Sequence, residues 1–187
     1  MGTNVSPPGP GARPEVEIAR HPDAKWVVVR TRPRCEKKFA EFCTKRDLTC
    51  YLPLRRSVRR YRHRVAEFMI PLFSGYVFSQ VSAGQQSDVN ECHHVAHLLV
   101  PNATMETQLV RELQDVQRLE RATMEGEIEV RPEIRVGRPV VIKGGPLSGL
   151  TGIVTRRKNK MRLTVNVEMV GQSVSVDVDA VEVEIEP

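Results

Sequence analysis

From Leu163 to Val178 the chain alternates. Leu163, Val165, Val167 and Met169, and then Val174, Val176 and Val178, are each separated by a single polar residue. Side chains of a strand point alternately to opposite faces, so this spacing collects the apolar residues on one side of an extended chain. Two such runs flanking Val170-Gly171-Gln172 predict an antiparallel hairpin. Upstream, Val140-Val141-Ile142 and Ile153-Val154 bracket a glycine-rich stretch from Lys143 to Gly152. Lys158-Asn159-Lys160 offers a second turn, because Asn tolerates positive φ. Gly145 and Gly152 are expected to permit positive φ and close backbone approach. The pattern predicts an all-β unit over residues 137–187: a small barrel, closed so that no long edge is left open.

The front half reads differently. Lys25 to Arg30 holds the run Trp26-Val27-Val28-Val29, a central strand that Pro33 ends. Between Arg34 and Asp47, the residues Cys35, Phe39, Phe42 and Cys43 fall at helical spacing and make one apolar stripe. Cys50 to Leu54, Phe68 to Ile70 and Tyr76 to Phe78 read as strands. A loop of Gly, Gln and Ser follows, and then a strand from Val95 to Val100. Asn102 or Thr104 is suited to cap a helix carrying Leu109, Leu113 and Val116. Residues 24–122 are therefore expected to form an α+β domain, an antiparallel sheet flanked by helices. Residues 123–136, acidic and containing Pro132, read as a linker, and the Pro/Gly-rich residues 1–23 as a disordered extension.

The formal charge of +5 is unevenly spread. Fourteen Lys or Arg and three acids lie between Lys25 and Arg64, whereas six acids and no base lie between Glu168 and Pro187. A polyanion-facing surface on the front half is the natural use of that asymmetry. Six of the ten residues Arg55 to Arg64 are arginine, namely Arg55, Arg56, Arg59, Arg60, Arg62 and Arg64, with Tyr61 and His63 among them. Arginine suits bidentate phosphate contact and tyrosine can stack on a base, so DNA or nascent RNA is the expected ligand; the alternative is a solvated loop. No apolar run is long enough for a membrane-spanning helix, and the start lacks a secretory signal, so a cytoplasmic protein is expected.

Cys35, Cys43, Cys50 and Cys92 form no C-x-x-C pair and read as free thiols. Cys92, His93, His94 and His97 are close in sequence, but neighbours on a strand point apart, so no metal or other cofactor is expected. No Gly-x-Ser-x-Gly, no carboxylate pair in an apolar setting and no Gly-Lys-Ser/Thr phosphate loop is present, and no enzyme is expected.

Two segments resemble a known family. Pro71-Leu72-Phe73-Ser74-Gly75-Tyr76-Val77-Phe78, with the strand at Trp26 and the helix at Phe39, resembles the N-terminal domain of NusG-family transcription factors. Ser74 stands where that signature usually has Pro. Gly137 to Val154 is similar to the KOW motif, with Lys143, Gly145, Pro146, Gly149 and Gly152 as its marks, which implies an SH3-like barrel. The resemblance implies docking on the clamp coiled-coil of RNA polymerase, less pausing and more processive elongation. Its docking residues map onto Phe73, Ser74, Gly75, Tyr76 and Trp26; the contrary reading of Phe73 and Tyr76 is that they fill the sheet core.

The stretches Thr155 to Leu163 and Val170 to Val174 resemble the KOW domain of UpxY- and LoaP-like proteins, and the basic loop Arg55 to Arg64 is similar to that of the specialised antiterminators of the UpxY, LoaP and RfaH kind. The partner tip of the barrel maps onto Met169, Val170, Gly171 and Gln172. Val170 stands where general factors carry an aromatic residue for Rho or the ribosome, which makes those partnerships less expected. A general NusG that couples polymerase to Rho or the ribosome, or a KOW-type ribosomal RNA-binding protein, are the alternatives. The alternation of valines argues against an RfaH-like helical form of residues 136–187, and a monomer is expected.

Overall fold

The computed structural model describes residues 16–62, 64–122, 129–132, 138–142, 147–157 and 160–178. In β1 (Ala24–Thr31), Trp26, Val27, Val28 and Val29 are all buried. An unbroken apolar run of this kind fits a strand covered on both faces. Trp26 and Val28 join Leu109, Leu113 and Val116 of α3 (Ala103–Ala122) in one apolar cluster. Val27 and Val29 join Phe39 and Cys43 of α1 (Glu36–Lys45) and Val89 of α2 (Ala83–Glu91) in another. With β2 (Thr49–Tyr51), β5 (Tyr76–Ser82) and β6 (Val95–Leu99), β1 forms a four-stranded antiparallel sheet of order β2-β5-β1-β6.

The α+β reading of the front half thus holds, with two differences. The stretch expected as a Gly/Gln/Ser loop is α2, where the Ser82 N–H donates to Oε1 of Gln85 at 2.9 Å and Val89 is the buried residue. One buried side chain leaves no helical period to read. The extension expected to be disordered through residue 23 is packed from Val16 onward. Ile18 is 4% exposed, and Gln114 and Gln117 of α3 donate to the carbonyls of Ile18 (2.7 Å) and Val16 (2.8 Å). Residues 1–15 lie outside the described residues. At the start of α3 the cap is Asn102, whose Oδ1 accepts from the Met105 N–H at 2.9 Å.

Strands β3 (Leu54–Tyr61) and β4 (Arg64–Pro71) pair with each other alone, in register from Leu54↔Pro71 to Tyr61↔Arg64. The back half is a five-stranded antiparallel sheet of order β7-β11-β10-β9-β8. Its strands are β7 (Glu129–Pro132), β8 (Arg138–Val141), β9 (Thr151–Arg157), β10 (Lys160–Val167) and β11 (Gln172–Val178). Part of the expected linker is therefore a strand, because Glu129 to Pro132 complete an edge against β11. Among the described residues the sheet is open, with β7 and β8 as its edges and no pairing between them, so the expected closed barrel is not seen.

Gly152 is needed for close approach: a Cβ there would stand 2.6 Å from the Thr164 carbonyl oxygen of β10. Positive φ falls instead on Gly149 (+80°), in the turn before β9. Lys143, Gly145 and Pro146 lie outside the described residues.

The two halves touch. α3 packs on β10, and its apolar face shares one cluster with Leu150, Leu163, Val165 and Val174.

Candidate functional site

The turn from Leu72 to Tyr76 joins β4 to β5 and is held by its backbone. Gly75 sits at φ +83°, in the left-handed region that side chains with a Cβ disfavour. Its N–H donates to Oε1 of the buried Glu36 at 2.7 Å, and its carbonyl accepts from the Thr31 N–H at 2.8 Å. Burying a carboxylate without a donor is costly, so Glu36 and the turn specify each other. Of the five residues mapped to polymerase docking, Ser74 is exposed and Gly75 and Tyr76 are half-buried. Phe73 and Trp26 are 0% exposed. Phe73 meets Phe78 edge-on, with ring centroids 5.9 Å apart, and the Trp26 indole donates to the Ala19 carbonyl at 2.8 Å. The side chains of Phe73 and Trp26 therefore lie in the core, and Ser74 and Tyr76 are what the turn presents.

The β3–β4 hairpin leaves the domain from a fixed root. The Glu120 carboxylate of α3 accepts from the Leu54 N–H at 2.7 Å and from the Tyr51 hydroxyl, and the Leu72 N–H donates to the Pro53 carbonyl at 2.8 Å. Burial and the neighbouring Glu120 charge push the Tyr51 phenol well above its ordinary pKa, so it stays a protonated donor. Beyond that root both faces of the ribbon are open. Among the described residues, five of the seven exposed large hydrophobics are here: Val58, Tyr61, Val65, Phe68 and Met69.

Strands β3 and β4 with their turn hold six arginines and one glutamate, a net +5 with His63 neutral, which equals the formal charge of the whole chain. Glu67 pairs with Arg56, and the guanidinium holds its carboxyl below the usual range. Arg59 lies over the Phe68 ring (5.9 Å to the centroid) and Arg64 over the Tyr61 ring (5.5 Å). The structure so gathers Arg55, Arg56, Arg59, Arg60, Arg62 and Arg64 on one projecting ribbon; His63 lies outside the described residues.

The tip mapped onto Met169, Val170, Gly171 and Gln172 is a 3₁₀ turn, Glu168–Val170, closed by Gly171 at φ +65°, with Gln172 opening β11. Val170 is buried and Met169 half-buried. The neighbouring Glu168 is engaged by α3: Gln108 donates to its Oε2 at 2.6 Å, and its N–H donates to Oε2 of Glu112 at 3.1 Å. Further along the helix, Arg118 donates to the Gly149 carbonyl at 3.0 Å and lies 3.3 Å from Asp115.

Burial raises the Asp115 carboxyl to about 6, against the opposing pull of Arg118 and a hydrogen bond from the Thr151 backbone. Sequence reasoning missed this contact. Its signal is present, since Gln108, Glu112 and Asp115 recur at helical spacing beside the apolar stripe of Leu109, Leu113 and Val116. On the sheet, Arg162 pairs with Asp177 at 2.9 Å.

The two halves are a buried-core α+β domain with a shaped turn and a basic ribbon, and a β-sheet unit against its last helix. The family model described as "transcription termination factor nusG" matches residues 24–121, just over half of the chain. The chain belongs to the NusG family of transcription elongation and termination factors, whose members generally bind RNA polymerase. No curated protein matches it. Among the described residues no helix is long and apolar enough to cross a membrane.

Proposed function

We propose that the protein binds the clamp coiled-coil of RNA polymerase through the turn at Ser74 and Tyr76 and holds the enzyme in processive, pause-resistant elongation. The observation that carries this reading is the family match over the domain that contains the turn. The protein acts by binding and not by catalysis, as a cytoplasmic monomer. The arginine ribbon contacts DNA or nascent RNA of the elongation complex, and the β-sheet unit corresponds to the KOW domain.

A specialised antiterminator of the UpxY, LoaP and RfaH kind fits better than a general factor. The basic ribbon is one reason. The other is the tip, where Val170 is buried and replaces the aromatic residue through which general factors reach Rho or the ribosome.

The test is titration of core RNA polymerase with the wild type and with Ser74→Arg. A long side chain on the exposed turn leaves Phe73 and the core untouched, so folding is retained while docking is blocked. Loss of binding in this variant supports the reading, and unchanged binding refutes docking at the turn. A pause assay with both proteins then reads whether binding shortens pauses.

A further inference from the structure

Residues in a strand alternate between its faces, and the register of β3 on β4 sorts the hairpin into two chemically different sides. One side carries Arg55, Ser57, Arg59 and Tyr61 opposite Ile70, Phe68, Ala66 and Arg64. The other carries Arg56, Val58 and Arg60 opposite Met69, Glu67 and Val65. Both exposed aromatic rings of the hairpin, Tyr61 and Phe68, are on the first side, and each already lies under a guanidinium. The second side has no aromatic ring, and its Arg56 is paired with Glu67.

We propose that the side formed by Arg55, Arg59, Tyr61, Arg64 and Phe68 is a stacking platform for an unpaired nucleic-acid strand, and that it accepts DNA and RNA alike. This rests on the nucleic-acid reading of the ribbon and narrows it to one face and one form of ligand. Exposed ring faces gain free energy from a base only when the base face is free, and in a duplex it is hidden in the stack. The four-residue offset between Ser57, which is opposite Phe68, and Tyr61 puts the two rings about 13 Å apart along the ribbon, at about 3.3 Å per residue.

The arginines beside the rings can reach the phosphates of a strand whose bases lie on those rings. An acidic protein would satisfy the charges but bring no base to stack on the rings. Telling RNA from DNA takes a neutral donor or acceptor for the 2′-hydroxyl. The neutral hydroxyls on this face are those of Ser57, which is half-buried, and of Tyr61, whose ring face is given to the base.

The experiment is fluorescence anisotropy of the full chain with thymidine and uridine oligomers and with a duplex of equal length, across a salt series. The single strands should bind at least tenfold tighter than the duplex and within about threefold of each other. Tyr61→Leu and Phe68→Leu should each weaken single-strand binding about 5- to 100-fold without altering the salt slope. Arg59→Gln should lower that slope by about 0.7. Val65→Ser and Met69→Ser, on the opposite side, should change affinity less than twofold. All these side chains are exposed, and matching thermal melts verify folding.

Duplex binding as tight as single-strand binding, with the leucine variants indifferent, overturns the platform and leaves a phosphate- or groove-binding ribbon. Failure to bind any of the three probes refutes the underlying nucleic-acid reading as well. A strong preference for one sugar overturns the claim that it goes unread.

Discussion

Two hairpins of the molecule are of similar size and opposite fate. β3–β4 pairs over eight positions and β10–β11 over seven. In β10–β11, Leu163, Val165, Val174 and Val176 are buried on one side, and on the other Thr164, Ser173 and Ser175 are buried too, with the Thr164 and Ser175 hydroxyls 2.8 Å apart. In β3–β4 only Leu54, at the root, is buried. Pairing alone does not stabilise a two-stranded ribbon in water; further strands or a covered face do. β10–β11 is held by its neighbours in a five-stranded sheet, whereas β3–β4 is held at one end, by Glu120 and the Leu72–Pro53 hydrogen bond. The first ribbon is buried within its sheet and the second stands open.

Substitutions should separate the two, and the largest effects belong to the buried ribbon. Leu163→Ala removes a fully buried side chain and should cost about 2–5 kcal/mol in denaturant unfolding, against less than ~0.5 kcal/mol for Met69→Ala on the open ribbon. Equal costs would mean that the hairpin is covered after all. Gly152→Ala pushes a methyl toward the Thr164 carbonyl and should destabilise the back sheet by about 1–3 kcal/mol; an unchanged melt would show that β9 and β10 can part.

Asp115 tests how the back sheet is seated on α3. Its carboxyl has a higher pKa in the folded protein, about 6 against the ordinary 3.8, so the folded state favours the protonated form. No stability is lost below the ordinary value. Stability then falls as pH rises from about 4 to about 6 and stays lower above it. Asp115→Asn should flatten this window and be the more stable protein at pH 7, by on the order of 2 kcal/mol. A wild-type profile that rises with pH through the same window would contradict the burial of Asp115. Glu120→Ala should cost about 1–3 kcal/mol through the donors it leaves unmatched at Leu54 and Tyr51. It should also raise amide exchange in β3 and not in β10. Glu67→Gln should change stability least, leaving the unfolding midpoint where it is in the wild type, because its pair with Arg56 is exposed.

Much of this contrast is legible in the residues. The valine alternation specifies β10 and β11, and Gly171 their turn; Trp26 to Val29 specify a strand with both faces covered; Asn102 starts α3. What is not legible depends on partners distant in sequence. Phe73 and Trp26 are apolar whether they line a docking hollow or fill a core, and only the helix packed against them decides. Glu36, Glu106 and Glu120 look like surface carboxylates, yet each accepts a backbone N–H, at Gly75, Trp26 and Leu54. The helix α2 has too few buried residues to reveal a period. The seating of α3 on the back sheet appears in sequence only as a row of polar residues beside an apolar stripe.

The open ribbon has one further consequence, for the behaviour of the protein in solution. A two-stranded sheet has two unsatisfied edges, and each is a template on which a second copy could add a strand. Here every approach of one ribbon to another brings five net positive charges against five. That repulsion acts over about 10 Å at 0.1 M salt and about 3 Å at 1 M. Concentrated salt, the usual means of keeping basic proteins free of nucleic acid, thus removes the guard on these edges, and reversible self-association of purified protein should grow with ionic strength.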